Sequence, residues 1–322
     1  MMLQWVSVTT VHAPAWLIRL HAAYMKLLGA ELCVYFVDRP ASYTEAELSE
    51  LSQHAKLFLC DDDFWRSFGG RPENIADRQL SNVGFARSQV DAKWFLHIDI
   101  DEFPHVALDI GRMLDGAPSE VSEFHFQNVE RLILRGGAHW HDGLLRLPNF
   151  DMKLQSRHYG QRTRFLGAGL SSYFHGKSLV KNAPRVMQGV HTSMHVLAHW
   201  ELVRMTIPLH EGFLVHYPCI CLQHLVFRLR RNKFRDPGVR KFRHEHRLDE
   251  FMFGPDARPE NIDSAAGALH TCTPEQASTW SEVGLCRSIP AAYLERFEQA
   301  AGGADVLKMD FAERSLAEFY RD

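Results

Sequence analysis

No part of this chain is apolar for long enough to cross a membrane. Its longest candidate, residues 213–227, is broken by His216, Pro218, Gln223 and His224, and a bilayer core demands ~18 to 20 consecutive apolar residues. An excess of charge of one sign is also missing. The 36 Lys and Arg against 39 Asp and Glu leave a net charge of −3, so no global field draws the protein to nucleic acid, and contact with a membrane is peripheral at most. Six cysteines are present (Cys33, Cys60, Cys219, Cys221, Cys272, Cys286) but no pair of CxxC motifs, which excludes the usual structural zinc site. The first residues carry no basic stretch followed by an apolar core. A reduced, cytoplasmic protein is expected. Internal repeats and low-complexity linkers are absent as well.

What is present is ordinary globular composition, 46% hydrophobic and 23% charged over 322 residues. That is enough for one large α/β domain with an elaboration, or for two smaller ones. The first hundred residues alternate between two periods. Trp5 to Thr10 reads as a strand, Ala15 to Leu28 as an amphipathic helix stopped by Gly29, and Leu32 to Val37 as a second strand ending at Asp38. Thr44, with Glu47 three residues on, has the pattern of a capping box opening a helix to about Ala55. Lys56 to Leu59 is a third strand, followed by Asp61-Asp62-Asp63, and Gln79 to Lys93 is helical. Repeated strand-helix order predicts a mostly parallel sheet flanked by helices. It also puts Asp38, Asp61 and Asp62 at the C-terminal strand ends, where such sheets bind ligands.

The most informative stretch follows. Lys93-Trp94-Phe95-Leu96-His97-Ile98-Asp99-Ile100-Asp101-Glu102-Phe103 reads as a buried strand running out into three carboxylates, with Pro104 stopping it. Asp99 and Asp101 are one residue apart, so in an extended strand both point the same way. Crowded carboxylates repel unless a cation neutralises them, which suits a hard divalent ion and, through it, a phosphate. Further on, Arg228 to Arg247 is basic. It reads as a solvated helix face or as a phosphate clamp.

The helix followed by WFLHIDIDEF resembles the signature of GT-A fold glycosyltransferases, nearest to their family-2-like and family-92-like members. Gly176-Lys177-Ser178-Leu179-Val180, Arg185-Val186, Gly189-Val190-His191 and His216-Tyr217 resemble the later blocks of the same family, in the same order. The resemblance implies a Rossmann-like GT-A domain over residues 1–235, with a nucleotide-binding half (1–103) and an acceptor-side half (104–235), then a helical C-terminal extension (236–322). It implies a metal-dependent transferase of the hexosyl type, moving sugar from a nucleotide-sugar, a UDP-sugar foremost, to a glycan, a lipid-linked saccharide or another hydroxyl acceptor. Mn²⁺ or Mg²⁺ would be held by Asp101 and Asp99, with His191 or His216 completing the coordination. Glu102 would contact the sugar, Lys177 and Arg185 the phosphates, and Asp38, Asp61 or Asp62 the nucleoside. Glu130, Asp142 and Asp151 are the base candidates by position.

Two other enzyme classes compete with this reading. A haloacid-dehalogenase-like phosphohydrolase carries its Asp-x-Asp on the first strand and continues with Gly, whereas here three strand-helix units precede the motif. A two-metal nucleotidyltransferase needs a Gly-Ser motif that is missing. Val11-His12-Ala13-Pro14 lacks the acid that relatives place after the first strand, so a GT-A scaffold that binds nucleotide or glycan without turnover is the non-enzyme alternative.

Overall fold

The computed structural model describes residues 2–107, 109–184, 186–195, 203–221, 224–225, 243–258 and 260–320. They form two compact units, one of Met1–Gln127 with His175–Leu214 and one of Asn128–Phe174 with Val215–Asp322.

In the first unit, β1 (Leu3–Val11) is buried from Trp5 onward. It pairs in parallel with β2 (Leu32–Val37) on one side and β4 (Ala92–His97) on the other, and β2 pairs in parallel with β3 (Lys56–Leu59). Continuous apolar runs of this kind belong to parallel strands covered on both faces. Side-chain alternation divides the two faces. Val34 and Phe36 pack with Val6, Val8 and Phe95 against Val83 and Ala86 of the helix Ile75–Gln89. Cys33 and Tyr35 face the helix Ala15–Leu27 instead, where the Cys33 thiol donates to the Ala22 carbonyl and the Tyr35 hydroxyl lies 2.7 Å from His21 Nδ1.

Beyond β4 the sheet changes character. β9 (Lys177–Lys181) lies between β4 and β6 (Val121–Phe126), antiparallel to both, and β12 (Val203–Thr206) pairs in parallel with β6. The order is β12-β6-β9-β4-β1-β2-β3, which is the Rossmann-like α/β arrangement expected of the GT-A class. β10 (Val186–Gln188) and β11 (Ser193–His195) form a separate antiparallel hairpin.

The motif strand is shorter than the sequence predicts. β4 ends at His97, and residues 98–101 form a turn before β5 (Glu102–Val106). The Glu102 N–H donates to the Asp99 carbonyl at 3.1 Å, and the Asp99 N–H to the Glu102 carboxylate at 2.9 Å. Asp99 and Asp101 are therefore not related by strand alternation. The turn brings Glu102 back to Asp99 and gives its carboxylate a backbone donor. Pro104 lies inside β5, an edge strand, where its missing N–H costs no ladder bond.

In the second unit, β7 (Asn128–Leu134) and β8 (Leu144–Arg146) are antiparallel. Gly143 serves their connection with φ +121°, and a Cβ there would clash with the Leu132 carbonyl oxygen. The chain re-enters this unit within β13 (Gly212–His216). β14 (Thr271–Cys272) then pairs with β7, and β15 (Cys286–Ser288) with β8. Leu248, Met252, Ala265, Leu269 and Trp280, from three later helices, pack on Leu132, Leu144 and Tyr159. Among the described residues, 243–258 and 260–320 thus fold with 128–174. Among the described residues, β14 and β15 from the C-terminal part pair with β7 and β8, and β13 pairs with β7 as well.

The helix Glu45–His54 opens with the capping box expected at Thr44 and Glu47. Thr44→Ala is expected to lower stability by about 1 kcal/mol, measured as a shift of the urea midpoint. An unmoved midpoint would show that the box contributes nothing.

Candidate functional site

Because β1 to β4 are parallel, their C-terminal ends share one edge of the sheet. Asp38 follows β2, Asp61 and Asp62 follow β3, and Asp99 to Glu102 follow β4. Neighbouring strands are ~4.8 Å apart, so the ends of β4 and β2, two steps apart, stand ~10 Å from each other. That is the open α/β edge at which ligands bind.

At the β4 end the carboxylates surround a cation of the chain itself. The register Leu96↔Leu179 places Lys177 of β9 beside the turn that follows β4. The Lys177 side chain has 0% exposure, and its ammonium donates to Asp99 Oδ2 at 2.8 Å and lies 3.6 Å from Glu102 Oε2. Gln79 Nε2 donates to the other Asp99 oxygen at 2.6 Å. Burial alone would push the Asp99 carboxyl up, but the Lys177 ammonium outweighs it and holds Asp99 well below the usual carboxylate range. Burial would likewise pull Lys177 down, and the attraction of Asp99 and Glu102 raises it instead. The Asp99 side chain keeps 31% exposure and is the part of this cluster that meets solvent. Asp101 and Glu102 are buried.

Two imidazoles flank the cluster. His97 Nδ1 lies 3.1 Å from the Val190 carbonyl and His191 Nδ1 3.0 Å from the Gly176 carbonyl. Burial, then the nearby Lys177 ammonium, lowers His97 to about 4 and His191 to about 3. Both are neutral at physiological pH.

At the β2 end, Asp38 is buried between two arginines. Arg71 Nη2 donates to Asp38 Oδ2 at 2.9 Å, and Arg78 Nε lies 3.1 Å from Oδ1. Arg78 is buried and also donates to the carbonyls of Pro72 and Glu73, whereas Arg71 keeps 38% exposure. Asp61 caps the short helix Asp62–Arg66 by accepting the Phe64 N–H at 2.9 Å, with Asp62 exposed in its first turn. After β1, His12 Nε2 lies 3.3 Å from the Ser42 hydroxyl.

The remaining expected residues fall in the second unit. Glu130 is fully buried and accepts from Arg146 Nη2 at 2.7 Å, from the N–H groups of Ser171 (2.9 Å) and Ser172 (2.7 Å), and from both serine hydroxyls. His216 Nδ1 lies 2.8 Å from the Ser172 hydroxyl. Burial raises the Glu130 carboxyl, yet Arg146 and the serine donors bring it down to about 2. A carboxylate so satisfied is a poor proton acceptor. Asp151 caps the helix Met152–Tyr159. Asp142 is the more open candidate, 37% exposed and 3.6 Å from His139 Nδ1. Arg185 and the basic residues between 228 and 241 lie outside the described residues.

A divalent ion at Asp99 would meet an ammonium 2.8 Å from one carboxylate oxygen and an amide donor on the other. Among the described residues, no group of three or more His, Cys, Asp or Glu is arranged to hold a metal. Lys177, expected to meet phosphates, turns inward to the carboxylates because its head group is covered. Sequence reasoning missed Gln79, Arg71, Arg78 and His97. Of these only His97, inside the motif itself, carried a local signal.

Four buried histidines set a pH dependence. Burial, the foremost cause at each, lowers His21, His97 and His141 to about 4 and His270 to about 3. Unfolding returns them to about 6.5, so between those values the unfolded chain binds more protons and stability falls as pH falls. The urea midpoint is expected to drop steadily from pH 6.5 toward pH 4, at a slope of up to ~1.4 kcal/mol per pH unit for each histidine. A flat midpoint over that range would contradict their burial as neutral rings.

No protein-family model matches the chain, and no curated protein matches it. Among solved structures it is similar to S. aureus TarS 1–349, with a TM-score of 0.31 at 9% identity, covering 99% of this chain and 89% of that one. It is also similar to a longer S. aureus TarS structure, with a TM-score of 0.30 at 9% identity, covering 99% of this chain but 54% of that one.

Proposed function

We propose that the protein is a glycosyltransferase that binds a nucleotide-sugar along the C-terminal edge of β1 to β4. By the resemblance of its motifs the donor is a UDP-sugar and the transferred group a hexose, passed to a hydroxyl of a glycan or lipid-linked saccharide. The observation that carries the reading is the convergence at one parallel edge of a carboxylate turn open at Asp99 and an arginine pair open at Arg71.

Each end offers a different chemistry. An ionised carboxylate only accepts, and Asp99, fixed by Gln79 and Lys177, presents its exposed part to the hydroxyls of a ribose or sugar. Arg71, oriented by Asp38, keeps N–H donors at the solvent edge, and a guanidinium pairs readily with phosphate oxygens. The ~10 Å between the strand ends is a span that a nucleoside diphosphate can bridge. Breaking the sugar–phosphate bond leaves negative charge on the departing diphosphate, and a fixed cation at that edge stabilises it without reorganising.

Calorimetry with a panel of nucleotide-sugars is expected to give donor binding that Asp99→Asn and Arg71→Ala each weaken by about tenfold, or ~1.4 kcal/mol, with circular dichroism confirming the fold. Release of nucleoside diphosphate in the presence of acceptor glycans completes the test. Binding without any turnover would favour the inert scaffold, and absence of nucleotide binding would remove the reading altogether.

A further inference from the structure

The cation that crowded carboxylates require is supplied in this fold by the chain. Lys177 begins β9, and β9 is hydrogen-bonded between β4 and β6. Its ammonium therefore approaches the turn at residues 98–101 from within the sheet. The 2.8 Å contact with Asp99 and the 3.6 Å approach to Glu102 put one positive charge between two of the three carboxylates. An Mg²⁺ ion bound to Asp99 would need to stand about 2.1 Å from a carboxylate oxygen. On Oδ2 that would bring it against the ammonium, in a buried setting where like charges repel strongly. On Oδ1 it would have to share the oxygen with the Gln79 amide, 2.6 Å away.

We propose that Lys177 is the resident cation of the carboxylate turn, taking the electrostatic role that the sequence assigns to Mn²⁺ or Mg²⁺, so that the nucleoside diphosphate binds without a divalent ion. The proposal rests on the nucleotide-sugar reading of this edge and deepens it. Lys177 is a positioning residue: its head group is covered and touches the carboxylates, and Asp99 meets the ligand. Neutralised from beneath, Asp99 is free to accept from donor hydroxyls, and the cation facing the phosphates is the exposed Arg71.

The test uses the full chain and UDP as probe. Calorimetric affinity for UDP in EDTA is expected to lie within about threefold of that in Mn²⁺, and Mn²⁺ alone is expected to leave the melting temperature of the wild type unmoved. Lys177→Arg keeps metal-free binding. Lys177→Met, which leaves the carboxylates uncompensated, acquires stabilisation by Mn²⁺ in the same melting experiment. A loss of about tenfold or more in UDP affinity on chelation, or a wild type already stabilised by Mn²⁺, overturns the proposal while leaving the nucleotide reading standing. Failure of UDP to bind in either buffer overturns both. If Lys177→Met does not fold, the wild type and Lys177→Arg still decide the matter through chelation and Mn²⁺ melting.

Discussion

A lysine ammonium buried against carboxylates is the constraint on which the first unit is organised. Removing such a charge from water costs several kcal/mol, and the cost is offset only if anions are fixed within hydrogen-bond distance. The fold meets that requirement by inserting β9 antiparallel beside β4, bringing Lys177 to the end of a strand 78 positions earlier in the chain. The turn after β4 then hands it Asp99 and Glu102, and Gln79 from the helix over the sheet holds the second Asp99 oxygen. Loss of Lys177 would remove the cation from Asp99 and Glu102, and loss of Asp99 would leave the buried ammonium to Glu102 at 3.6 Å. The reversal of strand direction in the sheet and the chemistry of its edge therefore have one origin.

The second unit solves a similar problem differently. Glu130 and Arg146 are paired at 2.7 Å with side-chain exposures of 0% and 2%. Ser171 and Ser172 add their N–H and O–H donors, so the carboxylate has no acceptor capacity to spare. It organises β7 and β8 around a closed polar centre. The contrast with Asp99 is one of access rather than of ionisation. Both carboxyls are held low, but only Asp99 retains a solvent-facing side.

Much of this could be read along the chain. Strand-helix alternation located β1 to β4, the Thr44 capping box located a helix start, and parallel strand order placed Asp38, Asp61 and Asp99 on one edge. These features are local, set by hydrogen bonds and periodicity within a few residues. The turn at residues 98–101 was not legible, because Ile98 and Ile100 continue a strand-like alternation past His97 and the donor that bends the chain is the Asp99 N–H. The partners were less legible still. Arg71 reaches Asp38 across 33 positions and Ser171 reaches Glu130 across 41, and neither leaves a periodic trace. Lys177 was visible through its motif, but its burial was not, and burial turns it from a phosphate contact into an internal counter-ion.

Whether the Lys177 cluster is only a structural ion pair can be judged by its cost. Buried ion pairs are weak devices for stability, and well-packed apolar residues in their place are often neutral or stabilising by about 1–4 kcal/mol. A turn carrying three carboxylates, two of them buried, over a buried ammonium is therefore an expensive way to end a strand. Asp61 and Asp151 show the inexpensive way, each capping a helix from an exposed position. The β4 turn instead buries its charges at the C-terminal edge of the parallel strands and leaves Asp99 open there. Stability does not account for that arrangement, which is what the proposed recognition of a hydroxyl-rich, anionic donor would require.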